Sequence, residues 1–407
     1  MSIVPNATLP PPQPASSPTW GELLDSIPSP KSLVERLDRH VTGQRAAKRT
    51  LAVAVGNHLR RLADGERWGG RVTGPDPLAD APDLAQVVVE RSNVLLIGPS
   101  GSGKTLLVNA LAEALSVPVV VGDATTFTEA GYVGADVESL LTRLLLTAGG
   151  DFGRAQAGIV FLDEIDKIAR RPNTVRDITG EGVQQALLKM IEGFITYIPT
   201  QLGPRQPDTP IEPFDTTGVL FICGGAFPGL EDIIARRLGR NAGRFGFGAF
   251  SQGESEGESG LLRHALPCDL EEYGMIPELV GRLPVVATLD DLGEDDLARI
   301  LTGPSSALIK QYRKLLWLRH GADLEFTPKA IREVAKLAHK RGVGARGLRA
   351  VVEQVVEGVM FEASEADRGH VFVIDERVVA GEAQAARRPI RALPPLRSPL
   401  ERRRLSS

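Results

Sequence analysis

Two short stretches of this chain hold residue types at spacings that imply phosphate chemistry. The first, Gly98-Pro99-Ser100-Gly101-Ser102-Gly103-Lys104-Thr105, fits G-x-x-x-x-G-K-[ST]. Its glycines let successive backbone N–H groups curve around phosphate oxygens, and the N-terminal end of a following helix adds positive potential. Lys104 is expected to reach the β- and γ-phosphates and the Thr105 hydroxyl to hold Mg²⁺, with Leu106 counted among the nucleotide contacts at the helix start. The second stretch is Gly158-Ile159-Val160-Phe161-Leu162-Asp163-Glu164. An apolar strand there would deliver two adjacent carboxylates at its C-terminal edge, where ligands bind in open α/β sheets. Asp163 suits a water-mediated contact to Mg²⁺, and Glu164 suits the base that polarises an attacking water. Together the two stretches imply a nucleotide hydrolase. They leave open what the released energy is used for.

Those side chains need strands and helices in alternation to hold them. Asn93-Val94-Leu95-Leu96-Ile97 is a short apolar run of the kind buried on both faces. From it the pattern predicts strand 93–97, helix 104–115, strand 117–121, helix 136–147, strand 158–162, helix 181–192 and strand 218–222. That alternation is the mark of a parallel sheet covered by helices, an α/β fold. Upstream, residues 31–37 and 44–62 read as helices, and the Gly-, Pro- and Asp-rich residues 64–83 as an exposed loop. Beyond about residue 289 the text turns mostly helical, at 294–302, 304–318, 328–341 and 345–364, with a strand at 370–374. A smaller, separate helical domain is expected there.

Composition narrows the class. The chain has 407 residues, 42% hydrophobic and 24% charged, with a formal net charge of -4. That length suits two or three domains, each with its own core. No apolar run is long enough to span a membrane. The first 21 residues carry no charged side chain and include six prolines, so they read as a flexible leader, with neither the basic start of a signal peptide nor a transit pattern. Only two cysteines occur, Cys223 and Cys268. Sparse cysteine fits a reducing compartment, and a cytoplasmic location is the expectation. Residues 379–407 hold seven arginines against two glutamates, so a basic tail accompanies an acidic body. Neither a helix-turn-helix pattern nor a basic patch interleaved with aromatics is present, which makes nucleic acid an unlikely partner.

Further segments resemble one family, the ClpX-type AAA+ protein unfoldases. Gly131-Tyr132-Val133-Gly134 with Ala135-Asp136-Val137-Glu138 is similar to the family's first pore loop and the helix after it. Residues 180–189, Phe221-Ile222-Cys223-Gly224-Gly225-Ala226-Phe227, residues 276–284 and Gly344-Ala345-Arg346-Gly347-Leu348-Arg349 resemble later signatures. The resemblance runs in order from about residue 27 to 378. It implies a P-loop NTPase of AAA+ type divided into a Pro-rich leader (1–26), a large α/β ATPase domain (27–290), a small helical domain (291–378) and a basic flexible tail (379–407). It also implies a homohexamer using ATP and Mg²⁺ to thread protein substrates through a central pore, delivering them to a ClpP-like peptidase. The alternatives are a stand-alone remodelling chaperone and a nucleic-acid-acting regulator.

Site roles follow from the same resemblance. Arg282 would be an arginine finger reaching the neighbour's γ-phosphate, Arg346 a sensor of nucleotide state, and Val41 a contact to adenine. Tyr132 and Val133 would grip substrate in the pore, with Arg176 in a second pore loop. An aromatic on a Gly-flanked loop can push on any polypeptide by van der Waals contact. Phe245-Gly246-Phe247 stands where the family's peptidase-docking loop usually reads Ile-Gly-Phe, a bulkier anchor. Residues 202–207 keep one basic residue where the family's adjacent loop carries Arg-Lys-His. The family's four-cysteine zinc module has no counterpart in this sequence, so no zinc is expected.

Overall fold

Alternate residues of the same strands feed two different cores, and this organises the larger part of the molecule. Leu95, Ile97, Val160, Leu162, Phe221 and Cys223 pack on one side of the sheet. Val94, Leu96, Ile159, Phe161, Leu220 and Ile222 pack on the other. Side chains alternate across a strand, so a continuous apolar run requires a cover on both faces. The computed structural model describes residues 25, 27–68, 76–127, 139–170, 178–199, 211–239, 258–342 and 344–390.

On one face lie α1 (Pro30–Asp38), α2 (Arg45–Trp68) and α3 (Lys104–Leu115). They contribute Leu33, Leu37, Leu51, Val55, Leu107 and Leu111 to the core. On the other face α4 (Ser139–Thr147), α5 (Ile178–Glu192) and α6 (Leu230–Arg237) supply Leu140, Leu144, Leu187, Ile191 and Ile234. Between them are β1 (Val94–Ile97), β2 (Val119–Asp123), β3 (Ile159–Asp163), β6 (Leu220–Gly225) and β7 (Val285–Thr288), in the order β2-β3-β6-β1-β7. Every pairing among them is parallel. Their C-terminal ends therefore share one edge, where the first and second motifs both emerge. A hairpin of β4 (Ile195–Pro199) and β5 (Ile211–Asp215) stands apart as a two-stranded antiparallel sheet.

The smaller part has its own core of Leu297, Leu301, Leu316, Val334, Val352 and Phe372 among others. After α7 (Pro277–Gly281) in the larger part, it is built from α8 (Glu294–Thr302), α9 (Leu308–His320), α10 (Pro328–Lys340) and α11 (Ala345–Glu362). Thr327 caps α10 by accepting from Ala330 N–H at 3.2 Å, with Pro328 at the first helical position. A three-stranded sheet completes it: β8 (Asp323–Phe326), β9 (His370–Ile374) and β10 (Ala386–Pro389).

The structure corrects several expectations. Residues 64–83 are not all loop, because α2 continues to Trp68. The strand expected at 117–121 lies at Val119–Asp123. Pro118 lacks an N–H, and its carbonyl instead accepts from Ile159 N–H at 2.9 Å, so ladder pairing begins at Val119. The segment starting at 379 is not tail throughout. Ala386–Pro389 pairs antiparallel with β9, and the Arg387 guanidinium lies 5.3 Å from the Phe372 ring centroid while bridging Asp367 at 3.1 Å. A run with two arginines and a proline is legible as tail but is tolerated as an edge strand. The smaller part is mostly helical, as expected, and the strand expected at 370–374 is β9, joined by two further strands.

Candidate nucleotide-hydrolysis site

The first motif leaves β1 and turns into α3 through a loop that only glycine can make at certain points. Gly101 and Gly103 have φ of +80° and +98°. A Cβ on Gly98 would lie 2.8 Å from the Leu289 carbonyl oxygen and Cβ. The loop is thus both left-handed and close-packed. Lys104 Nζ donates to the carbonyls of Gly98 (2.6 Å) and Pro99 (3.1 Å). Burial lowers the Lys104 pKa, and the carboxylates of Asp163 and Asp166 oppose that shift. Ser102 is buried, whereas Leu106 is about half exposed at the cleft wall.

The second motif ends β3 beside it. Thr105 Oγ1 donates to Asp163 Oδ2 at 2.7 Å, which places the two Mg²⁺-ligand candidates side by side. A hydroxyl and a carboxylate are the hard oxygen donors that Mg²⁺ takes, so the residues fit the ion. Among the described residues, no group of three or more His, Cys, Asp or Glu is arranged to hold a metal without substrate oxygens. Glu164 has a left-handed backbone, φ +59°, and its N–H donates to Asp163 Oδ1 at 3.0 Å. A non-glycine residue there carries roughly 1–3 kcal/mol of strain, tolerated when the surroundings over-determine it. Glu164 and Asp163 both line the same cleft as Lys104 and Thr105.

This cleft, of about 600 Å³, is closed on its far side by the smaller part. Arg346 Nη1 donates to Ser100 Oγ at 3.3 Å, and Ala345 N–H to the Gly101 carbonyl at 3.2 Å. Gly344, with φ +56°, brings α11 so near that a Cβ would meet Gly101 at 3.1 Å. Of the expected site residues, the structure brings together Gly98 to Leu106, Asp163, Glu164 and Arg346.

Two others lie elsewhere. Val41 is buried with Leu33 and Leu37 in the core beneath α1. Arg282 follows α7 and does not line the cleft; its Nη2 donates to Glu192 Oε1 at 3.1 Å, and its carbonyl accepts from Asn93 Nδ2 at 3.1 Å. Tyr132, Val133, Arg176 and Phe245-Gly246-Phe247 lie outside the described residues.

Sequence reasoning missed Gln44. It is buried with φ +54°, and its Nε2 donates to the carbonyls of Ser102 (3.3 Å) and Asp290 (2.8 Å). Its Oε1 accepts from Asp290 N–H at 2.9 Å. One side chain therefore ties the phosphate loop to the segment leading into the smaller part. Gln44→Ala would leave buried polar groups without partners, at roughly 1–3 kcal/mol each. We expect Tm to fall by several degrees together with weaker nucleotide binding, read by thermal melts with and without ATP. An unchanged Tm would remove the linking role.

Comparison with known proteins identifies the family that owns this arrangement. Residues 90–286 match the family described as AAA domain (Cdc48 subfamily). Residues 292–369 match the C-terminal, D2-small domain, of ClpB protein. The ATP-dependent Clp protease ATP-binding subunit ClpX of Treponema denticola is 44% identical over 362 residues, covering 88% of this chain and 83% of that protein. The protein of the same name from Azotobacter vinelandii is 45% identical over 352 residues, covering 84% and 77%. The chain belongs to the ClpX family of AAA+ ATPases.

In this ClpX-family ATPase the cleft is built from both parts of the chain. The phosphate loop and acidic pair come from the larger part and Arg346 from the smaller. A ligand spanning that cleft would touch both parts. Cys223, buried in β6 with its pKa pushed up to about 12, takes no part in that chemistry. No described helix is long and apolar enough to cross a membrane.

Proposed function

We propose that this chain is the ATP-hydrolysing unfoldase subunit of a Clp protease, acting as a homohexamer on protein substrates. The observation that supports it is the cleft in which Arg346 meets the phosphate loop, because hydrolysis there can be converted into movement of one part against the other. In this reading the backbone of Gly98 to Gly103 and the ammonium of Lys104 hold the phosphates, while Thr105 and Asp163 hold Mg²⁺. Bound Mg²⁺ neutralises charge on the β- and γ-phosphates. Glu164 takes the proton of the attacking water. Val41 contributes to the adenine side through the packing beneath α1, and Leu106 flanks the cleft. Arg346 reports nucleotide state to the smaller part.

Arg282 is the residue that leaves its own cleft. Its side chain is more than half exposed and pairs with Glu192 through an equally accessible ion pair. Such pairs contribute ~0–1 kcal/mol, so Arg282 can exchange onto a neighbouring protomer's phosphate at small cost. Tyr132 and Val133 act as the substrate grip, Arg176 as part of a second loop, and Phe245-Gly246-Phe247 as the contact to a ClpP-like peptidase, all by the family resemblance.

Mixing the protein with ATP, a folded tagged substrate and cognate ClpP tests this reading. Substrate loss that requires both ATP and ClpP is the expected result, with Tyr132→Ala abolishing it while ATPase activity persists. ATP-driven unfolding with no degradation would favour a stand-alone remodeller. Neither unfolding nor degradation would overturn the unfoldase reading.

A further inference from the structure

The floor of the cleft holds a third carboxylate that the roles above do not use. Asp166 sits in the turn after Glu164, with its side chain 1% exposed. Its Oδ1 accepts from Ala226 N–H at 3.0 Å. Its Oδ2 has no hydrogen-bond partner and is the one buried carboxylate oxygen in that condition among the described residues. The Lys167 ammonium lies 3.6 Å from Oδ2 but is itself substantially exposed. Leaving a buried charged oxygen without a donor is costly, and such a group points to a donor supplied by a ligand or its water.

The surroundings say which ligand. Asp166 lines the nucleotide cleft together with Asp163, Glu164 and Lys104, and Lys104 lies within its Coulombic reach. The neighbouring central strand, β6, ends in Gly224-Gly225 and is followed by Ala226, so it offers no polar side chain to the floor. That bareness has a packing cause. A Cβ on Gly224 would sit 2.8 Å from the Phe161 ring, and one on Gly225 would clash first with the Phe227 ring and lie 2.8 Å from Asp166 Oδ1. The strand end carries no side chains where the Phe161 and Phe227 rings and the Asp166 carboxylate pack, and the Ala226 N–H fixes the direction of that carboxylate.

We propose that Asp166 is a second water-holding carboxylate of the hydrolytic site, its Oδ2 accepting one hydrogen of the attacking water while Glu164 accepts the other. The proposal rests on the assignment of hydrolysis to this cleft and deepens it. A water held by one acceptor rotates about that bond, whereas two acceptors fix both hydrogens and aim a lone pair at phosphorus. The water oxygen forms the new bond to the γ-phosphorus. The bond from that phosphorus to the β,γ-bridging oxygen breaks, and its electron pair leaves on ADP. Glu164 takes the proton; Asp166 keeps its hydrogen bond and gains none.

Asp166→Asn separates this role from a purely architectural one. Asparagine retains the oxygen that accepts from Ala226 N–H and nearly the same volume, and replaces only Oδ2 by an amide. With the assembled full chain, we expect kcat to fall roughly 10–100-fold, in line with the cost of a misplaced reactant. KM for ATP and Tm should stay near the parent values. Asp166→Ala, which also loses the Ala226 contact, should lower Tm as well. In a Glu164→Gln background, Asp166→Asn should add little, because both groups act on one water. Turnover by Asp166→Asn close to the parent overturns the proposal, as does a loss of kcat matched by losses in Tm and ATP affinity. Full turnover by Glu164→Gln would instead sink the hydrolytic assignment itself, whatever Asp166 does.

Discussion

Glu164→Gln lowers ATP turnover by about 10²–10⁴-fold, the range for removing a positioned general base, and leaves ATP binding intact. The argument is local. Glu164 reaches the cleft because its backbone is left-handed, an arrangement held by its N–H on Asp163 Oδ1 and by its carbonyl, which accepts from Lys167 N–H at 3.0 Å. Neither bond involves the side chain, so glutamine keeps the same turn and differs only in lacking a proton-accepting charge. The loop from Gly98 to Thr105, proposed to hold the phosphates, is untouched. Fluorescent-nucleotide titration alongside a steady-state phosphate-release assay checks both halves. Turnover within tenfold of the parent would refute the base assignment.

Arg282→Ala is expected to cost about 10³–10⁵ in kcat, the contribution of arginine fingers in related phosphoryl transfer. The position of Arg282 explains why its effect should be seen only in the assembly. It lies outside the cleft of its own chain, after α7, with Glu192 as its partner. Arg91 adds to the same surface: burial and then the neighbouring Arg282 charge pull its pKa below the usual arginine value. A like charge beside Arg282 weakens its hold on Glu192 and favours transfer to a more negative phosphate. The decisive measurement uses mixed rings. Arg282→Ala protomers keep Glu164, and Glu164→Gln protomers keep Arg282, so co-expressed rings should regain turnover where the two intact groups meet. No recovery in mixed rings of confirmed composition would place Arg282 outside the reaction.

Much of the site was legible because it is local. Residues 98–105 specify a phosphate loop through glycines whose φ values of +80° and +98° other residues avoid. The helix from Lys104 to Leu115 and the strand from Val94 to Ile97 follow from periodicity within a dozen residues. Where such signals were weak, reading fell short. The hairpin of β4 and β5 leaves Ile195, Tyr197 and Ile211 exposed, which blurs the apolar alternation that would have marked it. The strand Ala386–Pro389 is exposed throughout, and only pairing with β9 makes it a strand. Asp166 lies two positions beyond Glu164, and nothing in the neighbouring letters tells that it is buried.

Local stretches of sequence carry the chemical groups: a phosphate-loop motif, an acidic strand end, and a parallel α/β frame that must bring both to one edge. How those groups are connected depends on contacts between segments far apart in the chain. Arg346 meets Ser100, and Gln44 meets Asp290, in each case across 246 positions of chain. Arg282 pairs with Glu192 across 90 positions, and Ala226 orients Asp166 across 60. Propensity and periodicity act over one or two turns of a helix or a few residues of strand. Contacts between distant segments depend on how whole layers close over two cores. The residues that make the site were therefore readable one stretch at a time, and the couplings that would turn hydrolysis into motion were not.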